Sequence, residues 1–172
     1  MKTISFRNDV MPLKNELYRL ALRITLNPGD AEDVVQETLI KVWNRREQWD
    51  QIESMEAFCL TICRNLSLDK TRKMAANEQR LDTDEHDAPD QGYSSNPEEQ
   101  AIQQDRIALV RRLIDSLPEK QRSVMQLRDV EGKSYKEIAV VLGLSEEQVK
   151  VSIFRARQTI KKKFIQVEEY GL

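Results

Sequence analysis

The sequence predicts an all-α protein of two small helical domains, the second carrying a helix-turn-helix, joined by a flexible acidic linker. Three observations predict it. Apolar residues recur at helical spacing in two separate blocks. The stretch between them, NEQRLDTDEHDAPDQGYSSN, has almost no apolar residues and no helical period. Five Gly, five Pro and 6% aromatics in 172 residues supply too few turn residues for a sheet-rich fold. The expected boundaries are 1–75 for the first domain, 76–96 for the linker and 97–172 for the second domain.

In the first block, Leu13, Leu17, Leu20, Ala21 and Ile24 form one stripe, which Pro28-Gly29 is expected to end. Asp30 then caps a second helix, with Ala31, Val34, Val35, Leu39, Val42 and Trp43 on its buried face. The acids Glu32, Asp33 and Glu37 come early in it and the bases Lys41, Arg45 and Arg46 late, as the helix dipole favours. A third helix begins near Ser54, buries Met55, Phe58, Ile62 and Leu66, and closes on Lys70, Arg72 and Lys73.

The second block opens with Asn96-Pro97-Glu98-Glu99, a cap followed by a first-turn proline and an acid at the third position. Its first helix runs through Leu109, Val110, Leu113, Ile114 and Leu117; Pro118 starts another, which ends at Gly132. Ser134-x-x-Glu137 is a capping box before Ile138, Ala139 and Leu142, Gly143 breaks that helix, and Ser145-x-x-Gln148 caps the next. A short helix, a glycine turn and a longer helix make a helix-turn-helix.

The net charge of −2 is not spread evenly. Residues 75–100 hold eight acids against one base, Arg80, which leaves +5 for the rest of the chain. From Val149 to Phe164, Val149, Ile153, Ala156, Ile160 and Phe164 share the inward face of one helix. Lys150, Val151, Phe154, Arg155, Gln158, Lys161 and Lys162 point outward, and no acid interrupts the span from Gln148 to Gln166. Cations with apolar groups among them suit the DNA major groove, where phosphates and guanines meet thymine methyls.

Other classes find little support. No apolar run approaches the roughly 20 residues that span a bilayer, and the start, MKTISFRNDVMPLKNEL, lacks the apolar middle of a secretion signal. A cytoplasmic protein without membrane insertion is expected. Cys59 and Cys63 lie four apart in a helical pattern, while the single histidine, His86, is distant in sequence, so buried thiols are expected rather than a metal site. With no Gly-rich phosphate loop and no nucleophile motif, neither an enzyme, a cofactor nor a small-molecule substrate is expected.

Three stretches carry a family resemblance. DAEDVVQETLIKVW (Asp30–Trp43) resembles the signature of the second conserved region of bacterial sigma factors. EAFCLTICRNLSLDKTRK (Glu56–Lys73) looks like the promoter-recognition helix of the same domain, and Leu117–Arg157 resembles sigma region 4. Their order, with an acidic linker and no other regions, is similar to the extracytoplasmic-function group of the sigma-70 family. The resemblance implies an alternative sigma factor whose partners are core RNA polymerase, at its clamp helices and flap, promoter DNA and an anti-sigma factor.

The resemblance also implies roles for residues. Asp33, Gln36 and Glu37 would dock on the polymerase clamp helices. Asn65 matches the family asparagine that helps hold a base flipped from the −10 element; extruding a base costs a few kcal/mol, so a prepared polar pocket is required. Arg64, Arg72 and Lys73 would hold nearby phosphates, and Trp49 would either stack on an exposed base or simply pack. Lys150, Val151, Phe154, Arg155, Gln158 and Lys161 would read the −35 element. Val151-Ser152 stand where the common form has Ser-Arg, which puts the bases preferred at −35 in doubt. The linker would thread the polymerase channels, and its acidity suits a basic tunnel shaped for nucleic acid. The rival reading is a helix-turn-helix repressor that binds a duplex operator without polymerase, with residues 1–75 as a sensing or dimerising domain.

Overall fold

The computed structural model describes residues 3–78 and 97–170. The expected linker beyond Glu78, with His86, and the expected cap Asn96 lie outside the described residues. The first half begins with a π turn (Phe6–Val10) and a 3-10 turn (Met11–Leu13). Three helices follow: α1 (Lys14–Thr25), α2 (Pro28–Asn44) and, after a 3-10 segment at Arg46–Gln51, α3 (Met55–Glu78). The second half comprises α4 (Pro97–Asp115), α5 (Glu119–Met125) running on into a π turn (Gln126–Val130), α6 (Tyr135–Leu142) and α7 (Glu146–Tyr170). Among the described residues there is no strand.

Helices α1, α2 and α3 pack on one another around Leu17, Leu20, Ile24, Val34 and Val42, all essentially without solvent contact. The α1–α2 junction differs from the expectation. Leu26 ends α1 in a left-handed conformation (φ 57°) and donates its N–H to the Leu22 carbonyl at 2.8 Å. Asn27, not Asp30, caps α2, its Oδ1 accepting from the Asp30 N–H at 3.0 Å. Pro28 starts α2 rather than ending α1, because its fixed φ and missing N–H suit a first helical turn. The left-handed leucine costs roughly 1–2 kcal/mol, which the surrounding packing must offset.

Helix α3 starts where its cap predicts, with Ser54 Oγ accepting from the Ala57 N–H at 3.2 Å, and runs three residues past the expected domain end. Its deepest positions are Cys59, Leu60 and Cys63, whereas Met55 and Phe58 are only half-buried. Burial pushes both thiols up to about 12, and Cys63 Sγ donates weakly to the Leu17 carbonyl at 3.3 Å. Trp43, expected in the core, is 46% exposed; it lies edge-on to Phe6 with the Arg46 guanidinium 4.7 Å from its ring centre.

In the second half, α7 packs against α4, α5 and α6 through Val149, Ile153 and Ala156, over Val124, Leu127 and Ile138. The capping signals are realised. Ser134 Oγ accepts from the Glu137 N–H, and Ser145 and Gln148 bond each other's backbone N–H groups at 3.1 and 2.9 Å. Gly143 takes a left-handed conformation (φ 67°) between α6 and α7, where a side chain would be strained.

The two halves also pack together. Their buried apolar residues form one contiguous cluster from Val10 to Ala156, and α1 and α3 face α5, the following π turn and α6. Ion pairs line this contact. Arg19 pairs bidentately with Glu131 (2.5 and 2.9 Å), Arg64 bidentately with Glu119 (3.2 and 3.1 Å), and Arg23 with Asp115 (2.9 Å). In the opposite sense, Lys133 of the second half reaches Glu16 at 2.9 Å and also contacts Glu56. Arg122, whose pKa burial lowers, donates to the Ile24 carbonyl at the C-terminal end of α1 (3.4 Å).

Candidate nucleic-acid interface

Two helices present the residues expected to meet DNA. On α7, Lys150, Val151, Phe154, Arg155, Gln158 and Lys161 are all exposed, with Phe154 at 63% and Val151 at 47%. Burial of such apolar groups would gain free energy on docking, and nothing within the described chain supplies it. The reciprocal Ser145–Gln148 box fixes where the helix begins, and the buried stripe fixes which side turns outward. Ser152 is buried on the inner side, so of the Val151-Ser152 pair only Val151 faces out.

Beside this face an open groove of about 550 Å³ runs between α5 and α7, with Lys120, Gln121, Gln148 and Arg155 on its walls. Tyr135, at the start of α6, carries the Arg128 guanidinium 4.3 Å and the Lys150 ammonium 5.6 Å from its ring centre. Arg128 and Tyr135 therefore flank the same side as Lys150. Their placement depends on the fold of the turn at Gln126–Val130, and sequence reasoning missed them. Arg157 does not join the set: Asp129 holds it at 2.5 Å, and that hydrogen bond raises its pKa.

On α3 the expected residues divide. Asn65, Arg72 and Lys73 are exposed, and Arg72 has only a loose ion pair with Asp69 at 3.7 Å. Asn65 and Arg72 are seven apart, about two turns, and so share a side. Arg64 lies nine residues from Lys73, about two and a half turns, and so faces the opposite way. It is turned into the contact between the halves, where Glu119 takes both arms of its guanidinium and Ser123 Oγ steadies that carboxylate at 2.7 Å. Trp49 is 7% exposed, stacks on Phe6 (6.4 Å between centres, 11° between planes) and donates its indole N–H to the Val42 carbonyl at 3.1 Å. Of the two readings left open for Trp49, its burial against Phe6 and Trp43 favours packing.

On α2, Asp33, Gln36 and Glu37 are exposed on one side, with Lys70 3.6 Å from Asp33. Ile40, 60% exposed, extends this surface with an apolar group one turn on, and joins Trp43 there. This side of α2 thus combines carboxylates with exposed apolar side chains.

Comparison with known proteins agrees with both halves. Residues 10–76 match the family Sigma-70 region 2, and residues 107–160 match Sigma-70, region 4. The chain is 32% identical over 157 residues to the ECF RNA polymerase sigma factor SigL of Mycobacterium tuberculosis, covering 91% of this chain and 85% of that one. It is 34% identical over 148 residues to SigE of Mycolicibacterium smegmatis, covering 86% of this chain but 56% of SigE. SigX of Bacillus subtilis is 29% identical over 151 residues, 86% of this chain and 77% of SigX. Among solved structures, the sigma factor RpoE in complex with the anti-sigma factor NepR from Bartonella quintana shares the fold, with a TM-score of 0.74, 23% identity and coverage of 91% and 94% of the two chains. CnrH in complex with the cytosolic domain of CnrY follows at 0.66, with 23% identity and coverage of 92% and 86%.

Proposed function

Because the chain belongs to the extracytoplasmic-function group of RNA polymerase sigma factors, we propose that it joins core polymerase through α2, reads the −35 element with α7 and captures a −10 base with α3. The observation that carries this reading is the exposed face of α7, where Lys150, Arg155 and Lys161 surround the uncovered Phe154 and Val151. Cations attract the phosphates and fix the register, while Phe154 and Val151 suit thymine methyls. The amide of Asn65 offers one acceptor and two donors, enough to read one edge of an extruded base. In this reading Arg72 and Lys73, both exposed on α3, would hold adjoining phosphates.

The polymerase surface in this reading is Asp33, Gln36 and Glu37, to which the uncovered Ile40 and Trp43 add apolar area. Clamp helices and flap of core polymerase, promoter DNA and an anti-sigma factor are the partners; the named complexes of RpoE and CnrH support the last. The work is done by binding energy and base capture, without covalent chemistry, and it takes place where the polymerase is, in the cytoplasm. The domain division follows the same reading: 1–75 and 97–172 bind separately, and 76–96 tethers them and raises the local concentration of each once the other is bound.

The test is run-off transcription from a promoter library by core polymerase, with and without the protein. Transcripts that depend on the protein and share two spaced elements are the expected result. Tight binding to a duplex without core, and no new transcripts with it, would instead favour the repressor reading.

A further inference from the structure

The N-terminal π turn has no part in the promoter reading, yet it is firmly built. Ser5 and Asp9 close it on each other: the Ser5 N–H donates to Asp9 Oδ2 at 2.7 Å, and the Asp9 N–H to the Ser5 carbonyl at 2.8 Å. Val10 anchors its end with no solvent contact. Phe6 is thereby presented to the two tryptophans that bracket the connection from α2 to α3. Its ring stacks on Trp49 (6.4 Å between centres, 11° between planes) and meets Trp43 edge-on at 5.5 Å. Trp49 is the one buried residue of the 3-10 segment Arg46–Gln51, and its carbonyl accepts the Ile52 N–H at 3.1 Å. Phe6 therefore covers the anchor from which Ile52 and Glu53 continue.

Ile52 and Glu53 form a ridge between two open grooves. One, of about 430 Å³, separates them from Ile4 and Asp9 of the N-terminal segment. The other, of about 590 Å³, is lined within the first half by the same two residues together with Phe58 and Thr61 of α3. Phe58 precedes Asn65 by seven residues and Thr61 precedes it by four, so this groove opens along the side of α3 that carries Asn65. We propose that Phe6 is a positioning residue for −10 recognition, setting the Ile52–Glu53 wall of this groove by holding Trp49. The proposal rests on the reading that α3 captures the −10 base. Phe6 touches no DNA in it and acts through the ridge, which the bond from the Trp49 indole to the Val42 carbonyl also tethers. A flat ring stacked on an indole fixes both its distance and its tilt, whereas another apolar side chain would fill the volume and leave the tilt free.

The test is transcription by holoenzymes carrying Phe6→Ala or Phe6→Tyr, from templates in which each −10 and −35 position is varied through all four bases. Phe6→Ala should reduce the discrimination at a −10 position by roughly two- to tenfold, the worth of one aromatic pair, and leave the −35 ranking as it is. Phe6→Tyr keeps the ring and should keep the wild-type ranking. A loss of folded protein alone would lower every template in proportion and move no ranking. An unchanged −10 ranking in Phe6→Ala therefore overturns the proposal, and so does an equal change at −35.

Should Phe6→Ala fold poorly by circular dichroism, Phe6→Leu carries the same test, since it keeps apolar bulk without a flat face. The contact is also read in the free protein. The chain has two tryptophans, so in a Trp43→Phe background the indole emission is that of Trp49. Phe6→Ala should shift that emission to the red and make it easier to quench with acrylamide; an unshifted, equally protected indole would show that Phe6 does not hold it. The Asn65→Ala holoenzyme separates the proposal from the reading beneath it. A −10 ranking flattened by Asn65→Ala but not by Phe6→Ala leaves the base reading standing and removes the role of Phe6, whereas a ranking untouched by either removes both.

Discussion

Helices α3 and α7 are both long and both carry exposed bases, yet the fold treats them differently. Helix α7 buries a clean stripe and leaves its cations facing solvent with Phe154 and Val151 among them. The first half of helix α3 packs on α1 and α2 through Cys59, Leu60 and Cys63 and gives Arg64 to the second half of the chain, while Asn65, Arg72 and Lys73 stay exposed. A cation on a helix surface is therefore not yet a DNA contact. Whether it is available depends on what the rest of the chain brings against it.

The largest effect that separates the two comes from the platform under α7. Leu127 has no solvent contact, so Leu127→Ala should cost the second half about 2–5 kcal/mol. Phe154→Ala, on the open face, should stay within about 0.5 kcal/mol. Urea unfolding of the two variants checks the difference; equal losses would mean that Phe154 is packed rather than presented.

A smaller effect distinguishes Arg64 from Lys150. Arg64→Ala removes two hydrogen bonds to a carboxylate in a poorly hydrated contact and should cost about 1.5–3 kcal/mol of unfolding free energy. Lys150→Ala should leave unfolding within about 0.5 kcal/mol, since its one ring contact is loose. The smallest expected effect is on salt dependence. If Lys150 meets a phosphate, Lys150→Ala lowers the slope of promoter affinity against salt by about one and leaves base preference alone. A change of preference at one −35 position would make it a base contact.

Much of this was legible in the sequence where the causes are local. The Ser145–Gln148 box, the Gly143 break and the apolar stripe of α7 each act within a few residues, and all three are realised. The start of α3 at Ser54 is of the same kind. Where two local signals competed, the reading slipped: Pro28 suits the end of one helix and the start of the next, and Asn27 decided the matter by capping α2. What lay beyond sequence reasoning is long-range. Nothing near Arg64 announces Glu119, fifty-five positions away, and nothing near Trp49 announces that Phe6 and Trp43 will enclose it. Lys133 reads as a loop cation, and only the packed structure shows it between two carboxylates of the other half.

The central claim is that two helices read two promoter elements, and one experiment tests it most directly. Holoenzymes carrying Asn65→Ala or Phe154→Ala transcribe templates in which each −10 and −35 position is varied through all four bases. An unpaired amide in a base pocket costs about 1–3 kcal/mol, so losing Asn65 should flatten the preference at one −10 position by a corresponding factor, roughly 5- to 150-fold, and leave −35 alone. Losing Phe154 should alter only thymine-containing −35 positions. An unchanged −10 ranking in Asn65→Ala, or a −35 change in that variant, would contradict the assignment of α3 to the −10 base.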